Sequence, residues 1–212
     1  MCYGCQADPP NGRFGLVLRD SEGKLFIRVV VLSLSEYPLG SAEDRKMLSS
    51  IPTERLLDYL FLQVRNLWRV DGLYFLGIEK RFGTEAATEI DAAVWEAMAG
   101  IEARSLQKMF KVGENPDVAK ILELLQKSSW ALDQPFKTTE INSEHAVLGV
   151  GRCRTQETRL SKGLGEFPCK KVRFGYLRNF AKTLNTKVEV KCQFCPPDKH
   201  PQDSWCKWEF TI

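Results

Sequence analysis

Histidine is almost absent from this sequence, with His145 and His200 alone in 212 residues. So few histidines argue against hydrolases that depend on a histidine triad. Net charge is also small, +3 at pH 7, which by itself does not indicate a nucleic-acid-binding protein. A glycine-rich phosphate loop is missing as well, because the glycines at 163 and 165 are too close together and follow no predicted strand. Several common enzyme classes are therefore disfavoured.

Long apolar runs are missing too, since none reaches the roughly 18 residues that suggest a membrane span. The first five residues, Met-Cys-Tyr-Gly-Cys, lack the basic region and apolar core of a signal peptide. We therefore expect a cytoplasmic protein without a membrane partner. Because thiols stay reduced in the cytosol, the seven cysteines favour metal ligands or reactive groups over disulfides.

The order of the predicted elements favours an α+β fold. Residues 1–46 contain two apolar, β-branched runs joined by a turn-like segment, which predicts an N-terminal extension that is either a hairpin or partly disordered. The main domain is predicted over residues 47–212. Its first half shows helical periodicity, with Gly83 as a helix stop, Thr84 as a cap and Asn115 near the start of a third helix. Strands are predicted later, so we expect a helical half packed on a C-terminal antiparallel sheet.

The C-terminal cysteines fall on apolar faces of predicted strands. Strand alternation places Cys192 with Val188 and Val190, and Cys206 with the aromatic residues of the last strand. Cys195 follows Cys192 at the two-residue spacing that suits chelation of one metal ion. The pattern predicts a metal or reactive site, and an inert buried set is the alternative.

A fourth cysteine, Cys169, lies in the predicted first turn of a helix beside two lysines. Helix N-termini and nearby cations lower the pKa of a thiol, so Cys169 is a candidate thiolate. A thiolate can act as a nucleophile or as a metal ligand. The predicted zinc ligands are Cys169, Cys192, Cys195 and Cys206.

Carboxylates on the aromatic-rich helices are candidate acids or bases. Asp71 and Glu79 are about two helical turns apart and could share a face, and Asp91 follows on the next helix. The alternative is helix capping and surface pairing. Predicted ligand-binding residues are Trp68, Gln156, Arg159 and Trp208, with Arg159 suited to a ligand carboxylate.

Charge is unevenly distributed along the chain. Residues 151–191 contain eleven Lys and Arg against three Glu, whereas acids outnumber bases over residues 71–126. One interpretation is a basic pocket for an anionic ligand. The other is that the two halves face and neutralise each other. The sequence leaves both open.

Several strings together resemble an uncharacterised family of bacterial and archaeal cytosolic proteins. These are Trp-Arg-Val-Asp-Gly-Leu-Tyr-Phe at 68–75, the segment 79–83, Cys153 with residues 156–159, Phe-Pro-Cys-Lys at 167–170, and the cysteine-rich stretch 192–210. That family resembles L-2-amino-thiazoline-4-carboxylic acid hydrolase-like proteins and, more faintly, 4-vinyl reductase domains. The first likeness implies hydrolysis of a small cyclic amide or thiazoline. The second implies a small-molecule-binding module with zinc.

These observations converge on one leading hypothesis and one rival. The leading hypothesis is a small-molecule-binding protein, with hydrolysis of a cyclic amide or thiazoline as its enzymatic form, and with a cysteine-centred site between helices and sheet. The rival is a non-catalytic, zinc-stabilised sensor or interaction module. A homodimer is an additional expectation. Nucleic-acid binding ranks last, because few aromatic residues interleave with the basic stretch.

Overall fold

The computed structural model describes residues 39–132, 134 and 137–212, together with two short strands nearer the N-terminus. The chain divides into two compact units, Met1–Asp58 and Tyr59–Ile212. In the first unit, β1 (Leu16–Arg19) pairs antiparallel with β2 (Leu25–Arg28), as the hairpin prediction requires. The rest of that predicted extension, up to residue 38, lies outside the described residues. The division into residues 1–46 and 47–212 stays a prediction.

Two helices follow, and the second bends at a glycine. α1 (Ala42–Ser49) begins after Ser41, whose hydroxyl accepts a hydrogen bond from the backbone N–H of Asp44. α2 (Thr53–Met109) contains 57 residues, but Gly83 within it has φ 84° and ψ 166°. This left-handed conformation suits glycine because it lacks a Cβ atom. We call residues 53–82 the first arm and residues 84–109 the second arm. The predicted break at Gly83 is confirmed.

The short α3 (Val118–Leu125) is the most completely buried helix of the described chain. Asp117 caps it by accepting a hydrogen bond from the N–H of Lys120 at 2.8 Å. Its start matches the prediction, but the helix ends five residues earlier than the predicted end near Trp130. Ser128 explains the early end, because its side chain accepts from the N–H of Ala131 and so competes with helix continuation.

The second unit contains a four-stranded antiparallel sheet with strand order β3-β4-β6-β5. Its strands are β3 (Lys137–Ile141), β4 (His145–Val150), β5 (Glu189–Phe194) and β6 (Cys206–Thr211). Along β6 buried residues alternate with half-buried ones, as strand periodicity predicts. The register pairs Val150 with Cys206 and Cys192 with Trp208, and a bulge follows Cys192. The cysteine-bearing ends of the strands are thereby brought to one region of the sheet.

Two helices connect the middle strands. α4 (Arg154–Ser161) begins directly after Cys153, in a segment where no helix was predicted. α5 (Cys169–Leu184) begins at Cys169, as predicted, and buries Val172, Tyr176 and Phe180 in the core. Helices therefore pack on an antiparallel sheet, and the predicted α+β class is confirmed. Within the described part of the chain, no helix is long and apolar enough to span a membrane.

Candidate functional site

A cavity of about 650 Å³ opens within the second unit. Both arms of α2 contribute to its wall, as do α4, the start of α5 and the ends of β4 and β6. Its apolar and aromatic lining includes Trp68, Phe75, Leu76, Trp130, Val150, Leu164 and Phe167, and its charged and thiol lining includes Asp71, Asp91, Cys153, Arg159, Cys169, Arg173 and Cys206. The predicted location between the helices and the cysteine-bearing sheet therefore coincides with a real cavity.

Arg173 of α5 is the most unusual charge in this lining, since it is only 3% exposed. Its guanidinium carbon lies 4.8 Å from the ring centre of Trp130, 5.1 Å from Trp95, 5.3 Å from Tyr176 and 5.8 Å from Trp68. Rings at these distances attract a cation through their negative faces. Two of its nitrogens, Nε and Nη1, are buried without a hydrogen-bond partner. Aromatic faces therefore surround a charge that also hydrogen-bonds to Cys169 and interacts electrostatically with Asp71 and Asp91.

Asp71 and Asp91 form a carboxyl pair that bridges the two arms of α2. The indole Nε1 of Trp95 donates to Asp71 Oδ1 at 3.1 Å, and the two carboxyl groups hydrogen-bond to each other. Burial, followed by the neighbouring negative charge of Asp71, raises the pKa of Asp91 to about 8. Burial also raises the pKa of Asp71. The pair therefore retains a proton at neutral pH, because two buried carboxylates cannot easily both ionise.

Cys169 lies on the same helix face as Arg173, one turn earlier. A hydrogen bond from the Cys195 thiol and the charge of Arg173 lower the pKa of Cys169 to about 7, against the effect of burial. The two lysines expected to do this instead form surface ion pairs, Lys170 with Asp198 and Lys171 with Glu89. The low thiol pKa was predicted, but its physical cause is different.

Three other cysteines, Cys153, Cys192 and Cys195, hold their protons more tightly than Cys169. Burial raises the pKa of Cys153 to about 12 and that of Cys192 to about 11. Hydrogen bonds to the thiols of Cys169 and Cys206 raise the pKa of Cys195. Within the residues that the structure describes, no group of three or more His, Cys, Asp or Glu side chains is placed to hold a metal ion. Zinc binding stays a prediction.

Five predicted site residues lie outside the cavity lining, namely the zinc-ligand candidates Cys192 and Cys195 together with Glu79, Gln156 and Trp208. Glu79 accepts two hydrogen bonds from Arg159, at 2.9 and 3.0 Å, and this contact with Arg159 lowers its pKa. Gln156 is buried and holds the backbone of Phe167 through both its amide oxygen and its amide nitrogen. Trp208 is fully buried in the core. By contrast, Trp68, Asp71, Arg159 and Cys169 line the cavity as a group.

Arg173 and Trp130 line the cavity but are not among the predicted site residues, whereas Asp91 was noted with the candidate acids and bases. A signal for Arg173 existed, because it follows Cys169 by four residues on a predicted helix and must share its face. Trp130 had no such signal, since it lies in the irregular segment after α3. Both interpretations of the basic stretch over residues 151–191 apply to some of its residues. Arg159 and Lys171 pair with acids of α2, whereas Arg173 and Lys162 line the cavity.

Comparison with known proteins places the chain in DUF6125, a family of unknown function, whose model matches residues 48–212. The chain therefore belongs to this family. No curated protein matches it. One similar solved structure is the phenol-responsive sensory domain of the transcription activator PoxR with phenol, with 15% identity and a TM-score of 0.44 over 68% of this chain and 72% of that chain. A likeness this distant carries no functional argument. The resemblance to an uncharacterised family is confirmed, and these comparisons do not support a hydrolase or 4-vinyl reductase relationship.

Proposed function

We propose that this member of DUF6125 binds a small organic molecule in the cavity between α2, α4, α5 and the sheet. The observation that carries the proposal is the cavity itself, about 650 Å³ with a largely apolar and aromatic lining. Ligand sites in proteins have volumes of roughly 300–1,000 Å³, with apolar walls and a few convergent polar groups. Here the polar groups of the lining include Asp71, Asp91, Cys169 and Arg173.

The first arm offers a matched pair of positions for testing this proposal. Gly72 lines the cavity and Gly77 does not, and a Cβ atom added at either glycine meets nothing within 4 Å. Both substitutions, Gly72→Leu and Gly77→Leu, replace a helical glycine with a better helix former, so neither should destabilise the fold. Only the leucine at position 72 adds bulk at the cavity wall.

The probe is N-phenyl-1-naphthylamine, a neutral molecule whose fluorescence rises in apolar surroundings. We expect saturable binding to the wild-type protein and to Gly77→Leu, with at least a tenfold weaker affinity for Gly72→Leu. Equal binding by all three proteins would place the probe elsewhere and contradict the proposal. Circular dichroism and melting temperature confirm that the variants remain folded.

A hydrolase is the more specific form of this proposal, and the juxtaposition of Cys169 with the Asp71–Asp91 pair favours it. The Cys169 sulfur would attack the carbonyl carbon of a cyclic amide. The ring C–N bond would then break as the nitrogen takes the proton held by the aspartate pair. Water would hydrolyse the thioester, which releases a carboxylic acid and restores the thiol. Glu79, the third predicted catalytic residue, is engaged by Arg159 and has no role in this scheme.

Turnover of a model cyclic amide, with Cys169→Ala as the comparison, tests the enzymatic form. The variant should lose turnover and still bind N-phenyl-1-naphthylamine. Residual turnover close to that of the wild-type protein would leave a binding protein without this chemistry.

Zinc bound by Cys169, Cys192, Cys195 and Cys206 is the second candidate, in which the protein is a zinc-stabilised sensor or interaction module. The hydrogen-bonded series Cys169–Cys195–Cys206 favours it. Zinc should then co-purify at about one ion per chain, and Cys206→Ser should lose it. A fully folded, metal-free protein under reducing conditions would contradict this candidate.

A further inference from the structure

The charge of Arg173 is incompletely matched by its surroundings. Its side chain is 3% exposed, yet neither Nε nor Nη1 has a hydrogen-bond partner. A buried cation without such partners is costly unless something supplies negative charge or hydrogen-bond acceptors. The aromatic rings around it supply part of this compensation, but they provide no hydrogen-bond acceptor of the strength of a carboxylate.

The nearby acids do not complete the compensation either. Asp71 accepts from Trp95 and shares a hydrogen bond with Asp91, so this pair is occupied with its own contacts. The pair also carries about one negative charge rather than two at neutral pH, since it retains a proton. Cys169 is the remaining candidate anion beside Arg173.

The charged side chains of the cavity lining, Arg173 included, are mostly basic. Its cations include Arg69, Arg159, Lys162 and Arg173, and its carboxylates are Asp71 and Asp91. Glu79, outside the lining, neutralises Arg159. Even with that pair removed, cations outnumber carboxylates, and a cleft of one sign with apolar walls concentrates ligands of the opposite sign.

From these observations we infer that the cavity selects an organic carboxylate with an apolar ring or chain, its anionic end directed to Arg173 and its apolar body against Trp68 and Trp130. This inference rests on the proposed small-molecule function and specifies the chemical class of its ligand. It also gives part of the basic stretch of the sequence a role, because Lys162 and Arg173 line the cavity that binds the ligand.

The test uses two competitors of nearly the same shape, 2-naphthoate and the neutral 2-naphthamide, each displacing N-phenyl-1-naphthylamine from the wild-type protein. A charge-assisted hydrogen bond in a buried site should give naphthoate on the order of a tenfold lower Kd than naphthamide. Arg173→Met should bring the ratio of the two Kd values close to one while the neutral probe still binds. Lys171→Met, which removes an exposed cation of the same helix, should leave the ratio unchanged.

The possible results distinguish the binding of a small molecule in the cavity from the preference for a carboxylate. If the probe binds in the cavity but naphthamide competes as well as naphthoate, the carboxylate preference is wrong and the binding function stands. If probe binding is insensitive to Gly72→Leu, both are wrong. Should Arg173→Met fail to fold, the wild-type ratio decides alone, since a ratio of one overturns the inference without any variant.

Discussion

Two charged groups near the same cavity differ in how completely their polar atoms are paired. Glu79 and Arg159 face each other with two hydrogen bonds of 2.9 and 3.0 Å, and Thr84 donates a third to Glu79. Arg173, by contrast, is surrounded by rings, and the carboxyl pair beside it shares a proton. Both groups contain an arginine and acids from α2. In the first group the arginine and the glutamate bond to each other, whereas in the second group Nε and Nη1 of Arg173 have no hydrogen-bond partner.

This difference shows that charge in the sequence does not by itself distinguish a closed ion pair from a group with unpaired nitrogens. Arg159 and Glu79 were attractive in the sequence because they lie in recognisable strings, yet they satisfy each other. Arg173 was not selected, yet it is the residue whose surroundings are incomplete. An ion pair with good geometry is a structural element by default, whereas a buried cation without acceptors needs a further explanation.

The largest effect on stability is expected from breaking the ion pair between Arg159 and Glu79. Arg159 and Glu79 are 9% and 15% exposed, so Arg159→Met leaves a nearly buried carboxylate without its partner. We expect a loss of about 3 kcal/mol in the free energy of unfolding, measured with urea at pH 7. Because the pair lowers the pKa of Glu79, the loss should diminish as the pH falls below the ordinary carboxyl value of 4.5.

Two further variants control this measurement. Adding Glu79→Gln to Arg159→Met should recover most of the loss, because no charge is then left unpaired. Lys170→Met breaks an ion pair with Asp198 whose side chains are 45% and 37% exposed, and should cost under about 1 kcal/mol. Equal losses for Arg159→Met and Lys170→Met would contradict the distinction between buried and exposed pairs.

Cys169, the thiol beside Arg173, should react faster with an alkylating reagent than Cys192. With its pKa near 7, Cys169 is about half ionised at neutral pH, whereas Cys192, with a pKa near 11, is almost fully protonated. Lower intrinsic nucleophilicity of the more acidic thiol offsets part of this advantage. We expect iodoacetamide to modify Cys169 on the order of fifty times faster than Cys192, with a half-maximal rate near pH 7.

Mass-spectrometric mapping of the modified cysteines checks this prediction, with and without a chelator. Faster modification of Cys169 only after chelation would indicate zinc instead of a free thiolate. Slow modification under both conditions would remove Cys169 from the site.

A smaller effect is expected from neutralising Asp91. Since its pKa is raised from 3.8 to about 8 in the folded protein, the native state binds a proton that the unfolded chain releases between these values. Its contribution to stability therefore falls as the pH rises through that window. The free energy of unfolding of Asp91→Asn, relative to that of wild type, should rise by about 2 kcal/mol between pH 5 and pH 6.5, as measured by urea unfolding. Glu85→Gln, at an exposed position of the second arm, should show no such change.

Local patterns in the sequence were sufficient to predict much of this fold. Helical periodicity predicted both arms of α2 and the start of α5, and Gly83 marked the bend because few other residues tolerate its backbone conformation. Strand alternation predicted that Cys206 and Trp208 face inward. These features depend on spacing within one segment, which the sequence displays directly.

Features that depend on contacts between distant segments were harder to predict. The four rings around Arg173 come from α2, the turn after α3 and α5, and no local pattern reveals that they meet. Glu79 and Arg159 are 80 residues apart, so their pairing was invisible too. Gln156 was predicted to bind ligand, but its buried contacts are with the Phe167 backbone, 11 residues further along the chain, and no local pattern indicates them.

The bend at Gly83 connects protonation with mechanics. Asp71 lies before the bend and Asp91 after it, so the proton they share links the first arm to the second arm. If the angle between the two arms opened, the two carboxyl groups would separate. Near neutral pH the shared proton would then be released to solvent. Cys169 and Arg173 also face this carboxyl pair. The work needed to open the hinge should therefore decrease as the pH rises towards 8. A distance measured between probes on exposed positions of the two arms, at pH 6 and pH 9, would report this coupling.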